Sequence, residues 1–336
     1  MDDKVRKVGL VLGGASPERE VSKLSAKSVY DALLSNNFEV VLLDPALGTD
    51  QSENPDYYFA DKNDKNFTKD NYIKSLQTGL LDDVDIVFNA LHGKWGEDGT
   101  IQSLFELAGI QYTGSGVLAS SISMNKAFSK VMFKHNEVAT PEWFVVDKEN
   151  MDLSDIDEFI KNTFDYPCVI KPNDQGSAIG LSICHGFNEL GDAIKTANEY
   201  CCNIIVEDYI GGHEITVGIL GRHCYPVLEI KPKHDFYDYT CKYTHGMSEY
   251  EVPANFPEKV LKLIQDQAMK AFTAVGCKVY GRIDFRLSEN LEPYCLEVNT
   301  LPGLTSTSLL PKTAKADGLS FEELIRQIIF KSLRTK

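Results

Sequence analysis

The chain has 336 residues, enough for two or three domains with sizeable cores, and its 43% apolar and 25% charged content is that of a folded soluble protein. A net charge of −15 argues against a nucleic-acid partner and against docking on anionic lipid. No apolar run approaches the ~18 residues of a membrane span, and "MDDKVRKVGLVLGG" lacks a signal-peptide cleavage pattern, so a cytoplasmic protein with no membrane partner is expected.

Residues 7–14, "KVGLVLGG", are a continuous apolar run closed by Gly-Gly, the pattern of a buried parallel strand. Ser16 and Pro17 read as an N-cap followed by proline at the first helical position. The helix is expected to reach about Asn36, with Val21, Leu24, Val29, Ala32 and Leu33 on its buried face. "FEVVLLD" (38–44) returns as a strand, residues 48–80 form a polar, Tyr-rich excursion with one short helix, and "VDIVFNALHG" (84–93) is another buried strand. "GTIQSLFELAG" closes an open parallel α/β domain over residues 1–120 as an amphipathic helix ended by glycine. Residues 121–211 read as a smaller α+β unit in which "YPCVIKPNDQGSAIGLSIC" is strand, glycine-bearing loop and strand. From 212 to 336, strands alternate with one long helix, "EKVLKLIQDQAMKAFTAVG". Eight cysteines without a C-x-x-C pair read as buried free thiols, and "HEITV" at 213 fails the H-E-x-x-H zinc pattern.

The most informative stretch is "GRIDFRLSENLEPYCLEVNTLPG" (281–303). Period-two alternation sets Arg282, Asp284 and Arg286 against Ile283, Phe285 and Leu287, and sets Glu297 and Asn299 against Leu296 and Val298. A register with Asp284 opposite Glu297 gathers two carboxylates, an amide and an arginine on one face. That face is either an ordinary cross-strand ion-pair surface or a site for a hard divalent cation, whose all-oxygen donors suit magnesium better than zinc.

Three further stretches carry candidate chemistry. "KPNDQGSAIG" lacks the G-x-x-x-x-G-K-[ST] pattern, but a small-residue loop between antiparallel strands can cover phosphates with backbone N–H groups, and Lys171 at the strand end can reach them. "VEDYIGGHE" offers Glu207 and Glu214, either solvated acids or acceptors for an adenine amino group and ribose hydroxyls. Glu18 in "GGASPEREVS" either complements a helix dipole or receives a substrate ammonium at the C-terminal edge of the sheet.

Taken together, "LGGASPEREVS", "ALHGKWGEDGTIQ", "YTGSGVLASSISMNK", "KPNDQGSAIG", "FYDYTCKY", "GRIDF" and "LEVNTLPGLTSTSLLP" occur in this order over nearly the whole chain. In this the sequence closely resembles the D-alanine–D-alanine ligase family of the ATP-grasp superfamily. The resemblance implies an ATP-grasp fold preceded by an open parallel α/β domain, the substrates D-alanine and ATP, two Mg2+ or Mn2+ ions, and a possible homodimer. It implies ligation through an acyl phosphate for peptidoglycan precursor synthesis. Asp284, Glu297 and Asn299 match the metal ligands. Arg282 and the Gly303 N–H match the groups that stabilise the acyl phosphate and the tetrahedral oxyanion. Lys126, Lys171 and Lys242 match phosphate-binding lysines, Glu207 and Ile210 adenine contacts, and Glu214 the ribose contact. Glu18, Ser177 and Tyr243 match a hydrogen-bonded set at the first substrate's ammonium, His92 lies beside that substrate's carboxylate, and Ser308 and Leu309 surround the second substrate.

Two stretches depart from a well-known form of the family: "NDQG" replaces a serine-arginine-glutamate-glycine loop, and "TSTS" lacks a histidine before its serine. Both lie beside matched residues and bear on loop closure or the second pocket. The alternatives are a D-alanyl-D-lactate or D-alanyl-D-serine ligase of the same fold, and a catalytically silent nucleotide-binding protein.

Overall fold

The computed structural model describes residues 5–60, 67–147, 152–201, 203–233 and 246–334. Three sheets organise them. The first is parallel, in the order β2–β1–β3, from β1 (Lys7–Val11), β2 (Glu39–Leu43) and β3 (Ile86–Asn89). Its strands are apolar because helices cover both faces. The second is antiparallel, in the order β4–β7–β5–β6, from β4 (Trp143–Asp147), β5 (Cys168–Pro172), β6 (Ser182–Cys184) and β7 (Asn203–Asp208). The third takes β8 (His213–Leu220), β9 (His223–Cys224), β10 (Leu228–Pro232), β11 (Ser248–Glu251), β12 (Tyr280–Leu287) and β13 (Pro293–Asn299), ordered β11–β10–β8–β12–β13 with β9 beside β8.

The first helix, Arg19–Ser35, begins later than the Ser-Pro signal predicts. Ser16 caps a preceding turn instead: its Oγ accepts from the Glu18 N–H at 3.2 Å and donates to the His92 carbonyl at 2.6 Å. The helix buries Ser22, Lys23, Ser25, Ala26, Val29, Ala32 and Leu33. Val21 and Leu24 were expected on that buried face; they turn to a cleft, and Leu24 is 62% exposed. The first turn is thus rotated off the core axis, which frees one side of it for a ligand. Among its described residues the 48–80 excursion holds two short α-helices, Asp56–Phe59 and Tyr72–Leu76, rather than one. Its tyrosines are structural: Tyr58 and Tyr72 are buried, and the Tyr72 hydroxyl accepts from the Ala15 N–H at 3.1 Å.

The last helix, Phe321–Arg334, returns to the start of the chain. Its Leu324, Ile325, Ile328 and Ile329 share a core with Val8, Leu10, Ala26, Val29 and Phe88. Among the described residues, no helix is long and apolar enough to cross a membrane.

Candidate active site

The β12–β13 hairpin pairs Asp284 with Glu297 and Arg282 with Asn299, the register that alternation predicts. A bulge then intervenes: Phe285 pairs with Cys295, leaving Leu296 as an extra residue. The expectation that Leu296 shares the core face with Val298 is therefore corrected. Cys295 and Val298 are buried in the core, while Leu296 and Glu297 both line a crevice. Asp284 is held from three sides. Arg282 donates from Nε to Oδ1 (2.9 Å) and from Nη2 to Oδ2 (2.7 Å), Asn299 Nδ2 donates to Oδ2 (2.9 Å), and Thr216 Oγ1 donates to Oδ1 (2.6 Å). The Glu297 carboxylate lies 3.4 Å from Lys126 Nζ.

On one side of Glu297, between the second and third sheets, runs an apolar crevice. Val169 and Ile183 face Ile230 and Leu296 across it, and Ile210 and Glu214 lie at its rim. At its base Glu207 is an ion-pair partner of Lys171, and its other oxygen lies 3.0 Å from Lys130 Nζ. Lys130 has no exposed side-chain surface and also donates to Thr140 Oγ1 at 2.8 Å. Burial opposes ionisation of Glu207, yet the two lysines hold its carboxyl below the usual range. Burial draws the Lys130 ammonium down from its ordinary value. Lys126, at the start of the helix Lys126–His135, donates to the Gln175 carbonyl at 2.6 Å, tying the helix to the glycine-bearing loop.

On the other side of Glu297 lies a polar cleft lined by Glu18, His92, Glu97, Ser177, Arg282, Asn299, Gly303, Ser308 and Leu309. Ser177 Oγ donates to Glu18 Oε1 at 2.5 Å, bridging the second unit to the first. Ser177 and Ala178 hold left-handed backbone, both with φ of 56°, an uncommon conformation for residues with a Cβ. Gly93 holds left-handed backbone, with a φ of +70°, and a Cβ on it would stand 2.4 Å from Glu18 Oε2 and displace that carboxylate. His92 is buried, its Nε2 2.9 Å from Ser25 Oγ. Burial, with the Arg282 guanidinium beside it, lowers its pKa to about 4. Ser308 Oγ accepts from the Thr305 N–H at 3.1 Å, and Leu309 packs with Leu228 and Ile230.

The structure therefore brings together Glu18, His92, Ser177, Arg282, Glu297, Asn299, Gly303, Ser308 and Leu309 around the cleft, and Lys126, Lys171, Glu207, Ile210, Glu214 and Asp284 around the crevice. Lys242 and Tyr243 lie outside the described residues. Two neighbours escape the sequence reading, and a third, Arg286, is placed by it on the polar face of its strand without a role. Lys130 carried a signal, since Lys126, Lys130 and Lys134 recur every four residues on one helix stripe. Glu97 lines the cleft and accepts from the Gly93 N–H at 2.9 Å; burial first, then the Glu18 carboxylate, raises its pKa. No single stretch of sequence points to Glu97, whereas strand parity puts Arg286 on the face of Arg282 and Asp284, and it lines the crevice.

Residues 7–115 match the family described as "D-ala D-ala ligase N-terminus", and residues 132–330 match "D-ala D-ala ligase C-terminus". The chain is 40% identical over 324 residues to the D-alanine–D-alanine ligase of Syntrophotalea carbinolica, covering 96% of this chain and 95% of the relative. It is 38% identical over 334 residues to that of Halalkalibacterium halodurans, covering 98% and 99%. The crystal structure of the Bacillus anthracis D-alanine–D-alanine ligase complexed with ATP superposes with a TM-score of 0.79 at 32% identity, over 98% of both chains. The VanG D-Ala:D-Ser ligase of Enterococcus faecalis superposes with a TM-score of 0.79 at 29% identity, over 98% of this chain and all of that one. With both halves matched and relatives of this identity covered almost end to end, the chain belongs to the D-alanine–D-alanine ligase family and is a ligase of the ATP-grasp fold.

Proposed function

We propose that this ligase joins two D-alanine molecules to D-alanyl-D-alanine with ATP, for peptidoglycan precursors, in the cytoplasm. The observation that carries the reading is the meeting of crevice and cleft at Glu297, which lines both. A nucleotide lying in the crevice points its phosphates toward a cleft fitted for amino acids. In this reading the chain divides into a substrate-binding domain (1–120), a central unit with the glycine-bearing loop (121–211) and a C-terminal unit with the reactive groups (212–336). A homodimer is the assembly that the family resemblance implies.

The base and ribose lie against Glu207, Ile210 and Glu214, and the phosphates against Lys126 and Lys171, with Lys242 the further phosphate lysine that the resemblance implies. Glu18, oriented by Ser177, receives the ammonium of the first D-alanine, a set to which the resemblance adds Tyr243, and His92 stands beside its carboxylate. A carboxylate oxygen attacks the γ-phosphorus, the bond to ADP breaks, and an acyl phosphate forms. Such a transfer needs positioning and charge neutralisation more than covalent help. The amine of the second D-alanine, held near Ser308 and Leu309, attacks the acyl carbon. Arg282 and the Gly303 N–H stabilise the resulting oxyanion until phosphate leaves.

Asp284, Glu297 and Asn299 would hold divalent metal ions. Two carboxylates and an amide on a cleft-facing hairpin are the hard oxygen donors that magnesium or manganese prefers. When bound, such ions neutralise charge on the transferring phosphoryl group. Without them, Arg282, Asn299 and Thr216 keep the Asp284 carboxylate oriented.

The test is ADP release with D-alanine, D-serine or D-lactate as acceptor. D-Alanine-dependent release with D-alanyl-D-alanine as product is expected. Preference for another acceptor reassigns the second pocket, and release indifferent to any amino acid overturns the reading.

A further inference from the structure

The strand that carries Arg282 and Asp284 presents a third side chain of the same parity, Arg286, at the far end of the crevice. It pairs in register with Glu214 on β8, and its side chain is 16% exposed. Its Nε donates to the Ile210 carbonyl at 2.9 Å and its Nη2 to the Gly212 carbonyl at 3.0 Å, while Nη1 lies 3.6 Å from Glu214 Oε2. One planar fork thus engages two carbonyls of the strap that joins β7 to β8, a task a lysine ammonium performs poorly. The strap is pinned from the other side as well. Gly212 has a φ of +92°, and a Cβ there would stand 2.2 Å from the Leu287 carbonyl oxygen.

A backbone residue offers a base edge one N–H and one C=O. With its carbonyl engaged by Arg286, Ile210 contributes its N–H. Adenine presents an unprotonated N1, an acceptor that such a donor satisfies. Guanine carries a proton on N1 and an amino group at C2, and both require acceptors. A carbonyl oxygen keeps a second lone pair, but one already drawn onto a guanidinium is a poorer acceptor for those donors, and poorly paired polar groups are a strong source of discrimination between similar ligands.

We propose that Arg286 is a positioning residue that sets base specificity: by drawing on the Ile210 and Gly212 carbonyls it makes them poorer acceptors for guanine and fixes the strap so that the Ile210 N–H serves adenine. Its pairing with Glu214 also keeps that carboxylate at the ribose end. The inference rests on the reading that a nucleotide fills this crevice.

The test uses the full-length protein with R286M and R286K. ADP and GDP binding with Mg2+ is measured by titration calorimetry without amino acid, alongside KM for ATP, GTP and D-alanine. For R286M, ADP binding and the ATP KM should weaken about tenfold, and the ADP-over-GDP preference should fall by about tenfold or more. The kcat should change by less than about threefold and the D-alanine KM should stay in place, a split that loss of folded protein does not produce. R286K, which keeps a charge for Glu214 but not the fork, should fall between. An unchanged ADP-over-GDP preference in R286M overturns the proposal, as does a loss of kcat that tracks a lower Tm with preference intact. If R286M does not fold, R286K decides by the same ratio. A wild type that binds ADP but shows no D-alanine-dependent turnover overturns the substrate reading while the base preference still tests Arg286. A wild type that binds neither nucleotide overturns both.

Discussion

In the apolar crevice the buried carboxylate of Glu207 sits between Lys130 and Lys171, so charge is balanced within the protein. In the adjoining cleft Glu18 and Glu97 act on each other, and Glu97 is pushed toward its neutral form. The first arrangement balances its charge by ion pairing, whereas the second relieves its repulsion by favouring the neutral form of Glu97. The buried charge set at the base of the crevice should therefore reveal itself through folding stability, and the groups of the cleft through turnover.

The sharpest challenge to this contrast is E297Q, because Glu297 belongs to both regions. Turnover is expected to fall by at least about a hundredfold, most severely at limiting magnesium, with an unchanged thermal melt. Activity that survives at limiting magnesium reduces the hairpin to an ion-pair face. Next in size is K130M. Removing one partner of a fully buried pair typically destabilises by about 3 kcal/mol or more, read as a shift in denaturant midpoint. A K130M protein of normal stability but lost turnover breaks the contrast. Smaller still, S177A removes one hydrogen bond to the Glu18 carboxylate, and the KM for the first amino acid should rise by about tenfold. An increase confined to the ATP KM would move Ser177 from the cleft to the crevice.

The most gradual effect is on stability against pH. His92 stays neutral in the folded state down to about pH 4, while the unfolded chain takes up this proton near 6.5. The unfolded state then binds more protons between these values, so stability is lost as pH falls through that window, by at most about 1.4 kcal/mol per pH unit. Glu97 acts with the opposite sign: its raised pKa keeps a proton in the folded state that the unfolded chain releases, so its contribution is lost as pH rises. Urea titrations of H92Q across pH 4–7 should lose the acid-side slope, and an unaltered slope removes His92 as its source.

The alternation of residues 281–299 made the opposition of Asp284 and Glu297 legible, because strand parity is a local property of the backbone. The bulge after Asp284 was not legible. One extra residue changes which way Leu296 points, and nothing in "YCLEV" marks where it is inserted. The first helix shows the same limit. Its later turns, with Val29, Ala32 and Leu33, follow the apolar period, but its first turn serves the cleft, and Leu24 breaks the pattern there. Glu97 and Arg286 owe their meaning to partners distant in the chain, Glu18 for the one and the Ile210 and Gly212 carbonyls for the other. Lysines four apart on one helix were in plain view, but which of them is sealed from water depends on Glu207, Thr140 and Pro141 closing over Lys130.

The return of the last helix to the first sheet has a consequence for how the protein is made. Val8, Leu10 and Phe88 bury their side chains with Ile325, Ile328 and Ile329, so these strands wait for residues made much later before their core closes. Until then the nascent parallel sheet keeps apolar surface open to chaperones and to neighbouring chains. Contacts of this sequence separation favour slow folding. A chain that stops short of Phe321 leaves that surface uncovered, so the core around Val8 and Leu10 closes only once the stretch through Ile329 has left the ribosome.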